Sequence, residues 1–189
     1  RIREASELAS ESWALTESLG DPDLVIGLSV PPIYAQWESA GWPTMLRWSQ
    51  RVIDLADGDH RRGAELAGGS PLALALTTRA IARYYLGWPG WRVDIGEGLA
   101  MARDAGSLTY AGAVTYGYAA GVASGVLRAS DTAVRDIENA RHIAERSGND
   151  FALAHVGVTL GIALVHRSVD ADRRRGEKLL TEVREVFLH

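Results

Sequence analysis

The sequence predicts an all-α chain, a superhelix of about four helical hairpins, and three observations carry that expectation. Four stretches of helical periodicity end on a Gly that Asp, Ser or Asn follows, the pattern of a left-handed helix end and a fresh N-cap. Each unit between those points breaks once more. Within each pair the first helix is poor in charge and the second amphipathic, as a two-layer row of helices requires. No strand competes, because the apolar runs are long, Ala-rich and without period-2 alternation.

Residues 1–20 read as a lone second helix, with Leu8, Ser12, Leu15 and Leu19 on one face. Leu19-Gly20-Asp21-Pro22 ends it and starts the next, Pro being favoured at the first helical position after a cap. The unit 21–58 pairs a helix over 24–37 with one whose stripe is Met45, Ser49, Val52 and Ala56, separated at Gly41-Trp42-Pro43. Asp57-Gly58-Asp59 closes that unit, and 59–69, rich in Gly and charge, reads as an inserted loop. Ser70-Pro71 opens the unit 70–106, with a helix over 72–85, a turn at Gly87-Trp88-Pro89-Gly90 and a stripe of Trp91, Ile95, Leu99 and Ala102. Ala105-Gly106-Ser107 leads into 107–148, with a helix over 108–127, a break near Ala129-Ser130-Asp131 and a stripe of Ala133, Ile137, Ala140 and Ala144. Ser147-Gly148-Asn149-Asp150 opens 149–189, with a helix over 151–166, a break near Val169-Asp170 and a stripe of Leu179, Val183 and Val186. The closing glycines lie 38, 48 and 42 residues apart, the middle interval being stretched by the inserted loop.

Composition narrows the function classes. The chain has 189 residues, 47% of them apolar, enough to bury a core, and 23% charged with signs mixed, which argues against disorder. A net charge of −4 gives no basic footprint for nucleic acid, and Arg173-Arg174-Arg175 is too short to supply one. Without Cys there is no disulfide framework, thiolate metal site or cysteine nucleophile, which fits a reducing cytoplasm. Arg1 enters a helical pattern at once and Glu182 to His189 lies inside one, so the chain is expected to be a piece of a longer protein.

The unit resembles a long variant of the tetratricopeptide repeat. Ala14-Leu15-Thr16-Glu17-Ser18-Leu19-Gly20-Asp21-Pro22-Asp23-Leu24 is similar to junctions in the helical sensor arms of bacterial STAND-type signalling ATPases, including LuxR-type regulators. Thr78-Arg79-Ala80-Ile81-Ala82-Arg83-Tyr84-Tyr85-Leu86-Gly87-Trp88-Pro89-Gly90-Trp91-Arg92 carries a closer resemblance. It continues in Ala140-Arg141-His142-Ile143-Ala144-Glu145-Arg146-Ser147-Gly148-Asn149-Asp150 and in Leu160-Gly161-Ile162-Ala163-Leu164-Val165-His166-Arg167. Together these resemble the C-terminal region of actinobacterial proteins that join a class III adenylate/guanylate cyclase domain to an AAA-type ATPase and then to helical repeats. The likeness is good over 70–189 and weaker before.

For chemistry the resemblance implies that the activity lies elsewhere in the parent. A class III cyclase needs paired metal-binding Asp residues on a strand-rich domain. The ATPase needs a Gly-x-x-x-x-Gly-Lys-Ser/Thr loop to cradle phosphates, and Gly176-Glu177-Lys178 lacks the upstream Gly. Gly96-Glu97-Gly98 lacks the third Gly of a dinucleotide fingerprint and lies in a helical pattern. No catalytic residue, cofactor or metal is expected in this chain.

Several features have two readings. The uncharged 108–127 stretch, with Gly117, Gly121 and Gly125 at four-residue spacing, could suit a membrane span, but Thr109, Tyr110, Thr115, Tyr116, Tyr118 and Ser124 make it too polar. A buried helix whose glycines admit a close neighbour is the expectation. His155 and His166 share a face about 16 Å apart, too far to join one metal. His155 reads more simply as a satisfied core residue. Tyr84, Tyr85, Trp88 and Trp91 gather around a tight turn, either as an aromatic ledge for a ligand or partner peptide or, more simply, as a hydrophobic lock between paired helices. Trp37, Trp42 and Trp48 are expected to repeat that arrangement one turn earlier. Arg173, Arg174 and Arg175, after Asp170 and Asp172, read as a solvated charged turn.

The expected function is a non-catalytic interaction and regulatory scaffold in a multidomain signalling protein, with a protein partner or adjacent domains of the parent chain as ligand. The candidate surface comprises Tyr84, Trp88, Trp91, Tyr116, Tyr118 and His155. Two alternatives stand beside it: the sensor arm of a LuxR-type transcription regulator, and a small-molecule sensor with Tyr116, Tyr118 and His155 around an apolar cavity. Direct nucleic-acid contact and a membrane span are not expected. Self-association through end faces around Leu8 and Leu15, and around Val183, Val186 and Phe187, is a further expectation.

Overall fold

Helix ends in this chain are written in its caps. Asp21 accepts from the backbone N–H groups of Asp23 and Leu24, Ser70 and Ser130 from Ala73 and Ala133, and Asn149 from Ala152. At the opposite ends Gly20, Gly58, Gly106 and Gly148 all have positive φ, a region that an L side chain enters at a cost of about 1 kcal/mol. The computed structural model describes residues 2–188 in backbone and 2–185 in side chains, and 79% of the chain is helical, with no strand among the described residues. None of these helices is long and apolar enough to cross a membrane. The chain forms two compact units, residues 1–105 and 106–189.

In residues 1–105 the order is α1 (Ile2–Ser18), α2 (Pro22–Gly27), α3 (Val30–Glu38), α4 (Trp42–Ala56), α5 (Ala64–Ala67), α6 (Pro71–Tyr85) and α7 (Trp91–Asp104). α1 packs on α3, α3 on α4, α4 on α6, and α6 on α7. Met45, Ser49, Val52 and Ala56 are buried on α4, and Ile95, Leu99 and Ala102 on α7. The Ser49 and Thr78 hydroxyls meet at 2.9 Å between α4 and α6.

The first expected helix, 24–37, is two helices. Pro31 and Pro32 carry no N–H for the carbonyls one turn earlier, so the chain breaks at Leu28-Ser29 and restarts. The expected loop 59–69 holds the single-turn α5, clamped to α2 where glycines meet: a Cβ on Gly63 would lie 2.6 Å from the Gly27 nitrogen. Arg62 anchors the same loop, pairing with Asp23 at 2.8 Å and donating to the Leu55 carbonyl.

The face expected to be apolar on α1 turns outward. Leu8, Leu15 and Leu19 are exposed, while Ala9 and Trp13 are buried. The cause is distant: the Trp13 ring stacks on Trp48 of α4 at 4.7 Å and 10°. One stacked indole pair orients α1 against three leucines.

Residues 106–189 contain α8 (Ser107–Val114), a π-helical turn (Thr115–Ala119), α9 (Ala120–Ala123), α10 (Asp131–Ser147), α11 (Asp150–Val165) and α12 (Asp170–Leu188). α11 is the centre, in contact with α8, the π turn, α10 and α12. Ala133, Ile137, Ala140 and Ala144 are buried on α10, and Leu179 and Val183 on α12; the Val186 and Phe187 side chains lie outside the described residues. The expected 108–127 helix ends at Ala123. Its glycines do not form one stripe for a neighbour: Gly125 takes a left-handed φ of 74° that closes the helix, and Gly121 receives Leu127 folding back, with the Leu127 N–H on the Gly121 carbonyl at 2.9 Å. The close helix approach occurs instead between α11 and α12. A Cβ on Gly176 would lie 2.9 Å from the Gly161 oxygen, and one on Gly161 would lie 2.6 Å from Leu180.

Candidate functional site

The turn between α6 and α7 is built from the sequence upward. Gly87 and Gly90 both take positive φ, which favours glycine, and a Cβ on Gly90 would also lie 2.9 Å from the Arg83 guanidinium. The Trp88 N–H donates to the Arg83 carbonyl at 2.8 Å, lifting the Trp88 ring out of the turn, where it is 55% exposed. Beneath the turn lies a polar bolt. Asp94, 2% exposed, accepts from Arg79 through Nε at 3.0 Å and Nη2 at 2.6 Å, and from Arg83 at 2.7 Å. Arg79 also donates to Gln50 at 2.9 Å, which ties α4 to the α6/α7 pair. A forked guanidinium–carboxylate pair fixes direction as well as distance, so this bolt sets the register of α7 on α6.

The structure separates the aromatic residues gathered at this turn. Tyr84 is buried and meets Trp91 edge-on at 6.0 Å, with Arg92 lying over the Trp91 ring at 3.9 Å. Those residues act as the lock between helices. Tyr85, 41% exposed, faces outward and stacks on Trp42 at 4.1 Å and 10°. Trp42 opens α4, so the stack joins the α3/α4 turn to the end of α6, and with exposed Trp88, Pro43 and Pro89 it presents an aromatic ledge at one end of this unit. Of the earlier tryptophans, Trp42 stacks on Tyr85 and Trp48 on Trp13, so these two rings face different helices.

The other candidates, Tyr116, Tyr118 and His155, belong to residues 106–189. Tyr118, on the π turn, donates to Asp136 Oδ2 at 2.6 Å, and Tyr110 reaches the Asp136 carbonyl at 3.4 Å. Tyr116 is half-buried on the same turn. His155 is half-buried, its Nδ1 2.8 Å from the Phe151 carbonyl and its ring 4.0 Å from the Phe151 ring. The Nδ1 proton is thereby committed to the helix backbone, which leaves Nε2 as an acceptor in the neutral ring. Thr159 of α11 donates to Thr115 at 3.0 Å. These groups knit α8, the π turn, α10 and α11 together.

Arg167, to which the sequence assigned no role, is a well-connected cation of this unit. It pairs with Asp131 at 2.5 Å and Asp172 at 2.6 Å and donates to the Ala129 carbonyl at 2.7 Å. The hydrogen bonds from Asp131 and then Asp172 push its pKa up from an already basic value. Of the arginine run, Arg173 pairs with Asp170, and Arg175 with Glu138 at 2.8 Å. Among the described residues no three His, Asp or Glu side chains gather as a metal site would need.

Comparison with family models, curated proteins and solved structures finds no match to this chain.

Proposed function

We propose that this chain is an interaction and regulatory module of a multidomain signalling protein, and that the ledge of Trp42, Tyr85 and Trp88 is its partner surface. The observation that carries the reading is that the ledge is both exposed and rigidly mounted. Tyr85 and Trp88 show large apolar faces to solvent while the Arg79–Asp94–Arg83 bolt and the two left-handed glycines hold the turn beneath them. Pre-set aromatic rings lose little conformational freedom on binding and serve as anchors in protein recognition.

On this reading the helices continue as a tetratricopeptide-like superhelix, a fold that presents surfaces to partners. Side-by-side packing of consecutive helices in each unit supports it. The resemblance carried by Thr78 to Arg92, Ala140 to Asp150 and Leu160 to Arg167 is the ground for joining the module, in this proposal, to a nucleotide cyclase with an ATPase, where partner binding at the ledge would bias the state of the ATPase. The test replaces Tyr85 and Trp88 together by Ala in the full-length parent. Helicity of the module is expected to be kept and its melting temperature to fall with the loss of the Trp42–Tyr85 stack, while recovered partner protein and ATPase turnover change at least several-fold. Unchanged partners and turnover in a folded double variant would remove the proposal.

A further inference from the structure

The groove between α1 and α4, away from the α6/α7 turn, holds a second arrangement that the ledge does not use. Ser10, Trp13 and Glu17 follow i, i+3, i+7 spacing on α1, while Thr44, Arg47, Trp48 and Arg51 follow i, i+3, i+4, i+7 on α4, so each set shares one helix face. The two faces border an open groove of about 410 Å³, within the size range of small-ligand sites. The stacked indoles of Trp13 and Trp48, each 6% exposed, form an apolar floor. At one end Arg51 pairs with Glu17 at 3.4 Å. Arg47 stands on the wall, exposed, held only by a long 3.5 Å bond to the Thr44 hydroxyl, and among the described residues no carboxylate pairs with it.

Two guanidinium groups against one carboxylate leave the groove with one uncompensated positive charge. A guanidinium fork matches a carboxylate with two parallel hydrogen bonds. A flat apolar body attached to that carboxylate would lie along the indole floor. We propose that this groove is a binding site for a small organic carboxylate with a planar apolar body, held by Arg47 and seated on the Trp13–Trp48 floor. The site is independent of the ledge, and its failure would leave the partner-surface reading untouched.

Phenylacetate serves as the probe, with phenylacetamide as its neutral isostere and acetate and inorganic phosphate as anions without the ring. Binding to the chain is followed by the indole N–H resonances of Trp13 and Trp48 during titration. Phenylacetate is expected to shift both resonances saturably, and phenylacetamide to bind at least tenfold more weakly. Arg47 is exposed, so Arg47→Gln folds normally and is expected to weaken phenylacetate at least tenfold, with Arg47→Lys falling between the two. The proposal is overturned if phenylacetamide matches phenylacetate, if Arg47→Gln binds like wild type, if acetate or phosphate gives the same shifts, or if no probe saturates at millimolar concentration.

Discussion

Residues 1–105 and residues 106–189 solve the same problem, holding short helices side by side, with opposite materials. All six Trp residues of the chain fall in the first unit, which is fastened by the Trp13–Trp48 and Trp42–Tyr85 stacks and by a buried aspartate between two arginines. The second contains no Trp and is fastened by the removal of side chains, with Gly161 and Gly176 letting the backbones of α11 and α12 meet. Large surfaces bury apolar area, whereas glycine contacts gain dense packing by subtraction. The aromatic stacks of the first unit are therefore sensitive to losing atoms, and the Gly161–Gly176 contact of the second to gaining them.

The sharpest way to break that contrast is Trp48→Ala, which opens a cavity under Trp13 and is expected to destabilise residues 1–105 by about 4 kcal/mol in denaturant unfolding. Tryptophan fluorescence reports that unit alone, since it holds every Trp. A loss under about 1 kcal/mol would mean that the stack does not carry the orientation of α1. Next in size is Gly176→Val. Its Cβ would press within 2.9 Å of the Gly161 oxygen and of Leu164 and Val165, so a cost of about 2 kcal/mol is expected, read as a lower midpoint by far-UV circular dichroism. An unchanged midpoint would show that α11 and α12 part easily. The smallest effect tests the turns. Ala40 sits at φ 56°, exposed, and Ala40→Gly is expected to stabilise residues 1–105 by roughly 0.5 kcal/mol, detectable as a small rise in the fluorescence midpoint.

The helix ends were legible because caps are local chemistry. Ser70-Pro71, Asn149 and the glycines at 20, 58, 106 and 148 act within a few residues of themselves, and the stripes on α4 and α10 are regular enough to show their buried face. The Pro31-Pro32 break was equally local. Periodicity alone passed over it, although the missing N–H groups dictate it. α1 misled for a different reason. Its apolar residues run around a wide arc from Leu15 to Trp13, and the side that turns inward is chosen by Trp48, 35 positions away in the chain. The ledge shares that difficulty, since Trp88 and Tyr85 were visible as aromatics beside a turn, while the stacking of Trp42 on Tyr85 depends on two residues 43 positions apart arriving at one end of the unit. The groove cation Arg47 carried no signal, because an arginine on a solvent-facing helix looks the same whether or not a carboxylate waits opposite it.

The π-helical turn at Thr115–Ala119 has a consequence for how this chain tolerates changes of length. A π turn holds one residue more than an α turn in the same stretch, so everything after it is rotated by about 100° against a plain helix. Thr115 can reach α11 while Tyr118, three positions on, reaches α10. Removing one residue from an ordinary helix swings its later half off the core, but here the same deletion would convert the π turn into a regular α turn. The helix thus stores a spare residue, and the Tyr118–Asp136 bond shows what the excess is used for: aiming a side chain in a direction that regular helical spacing does not provide.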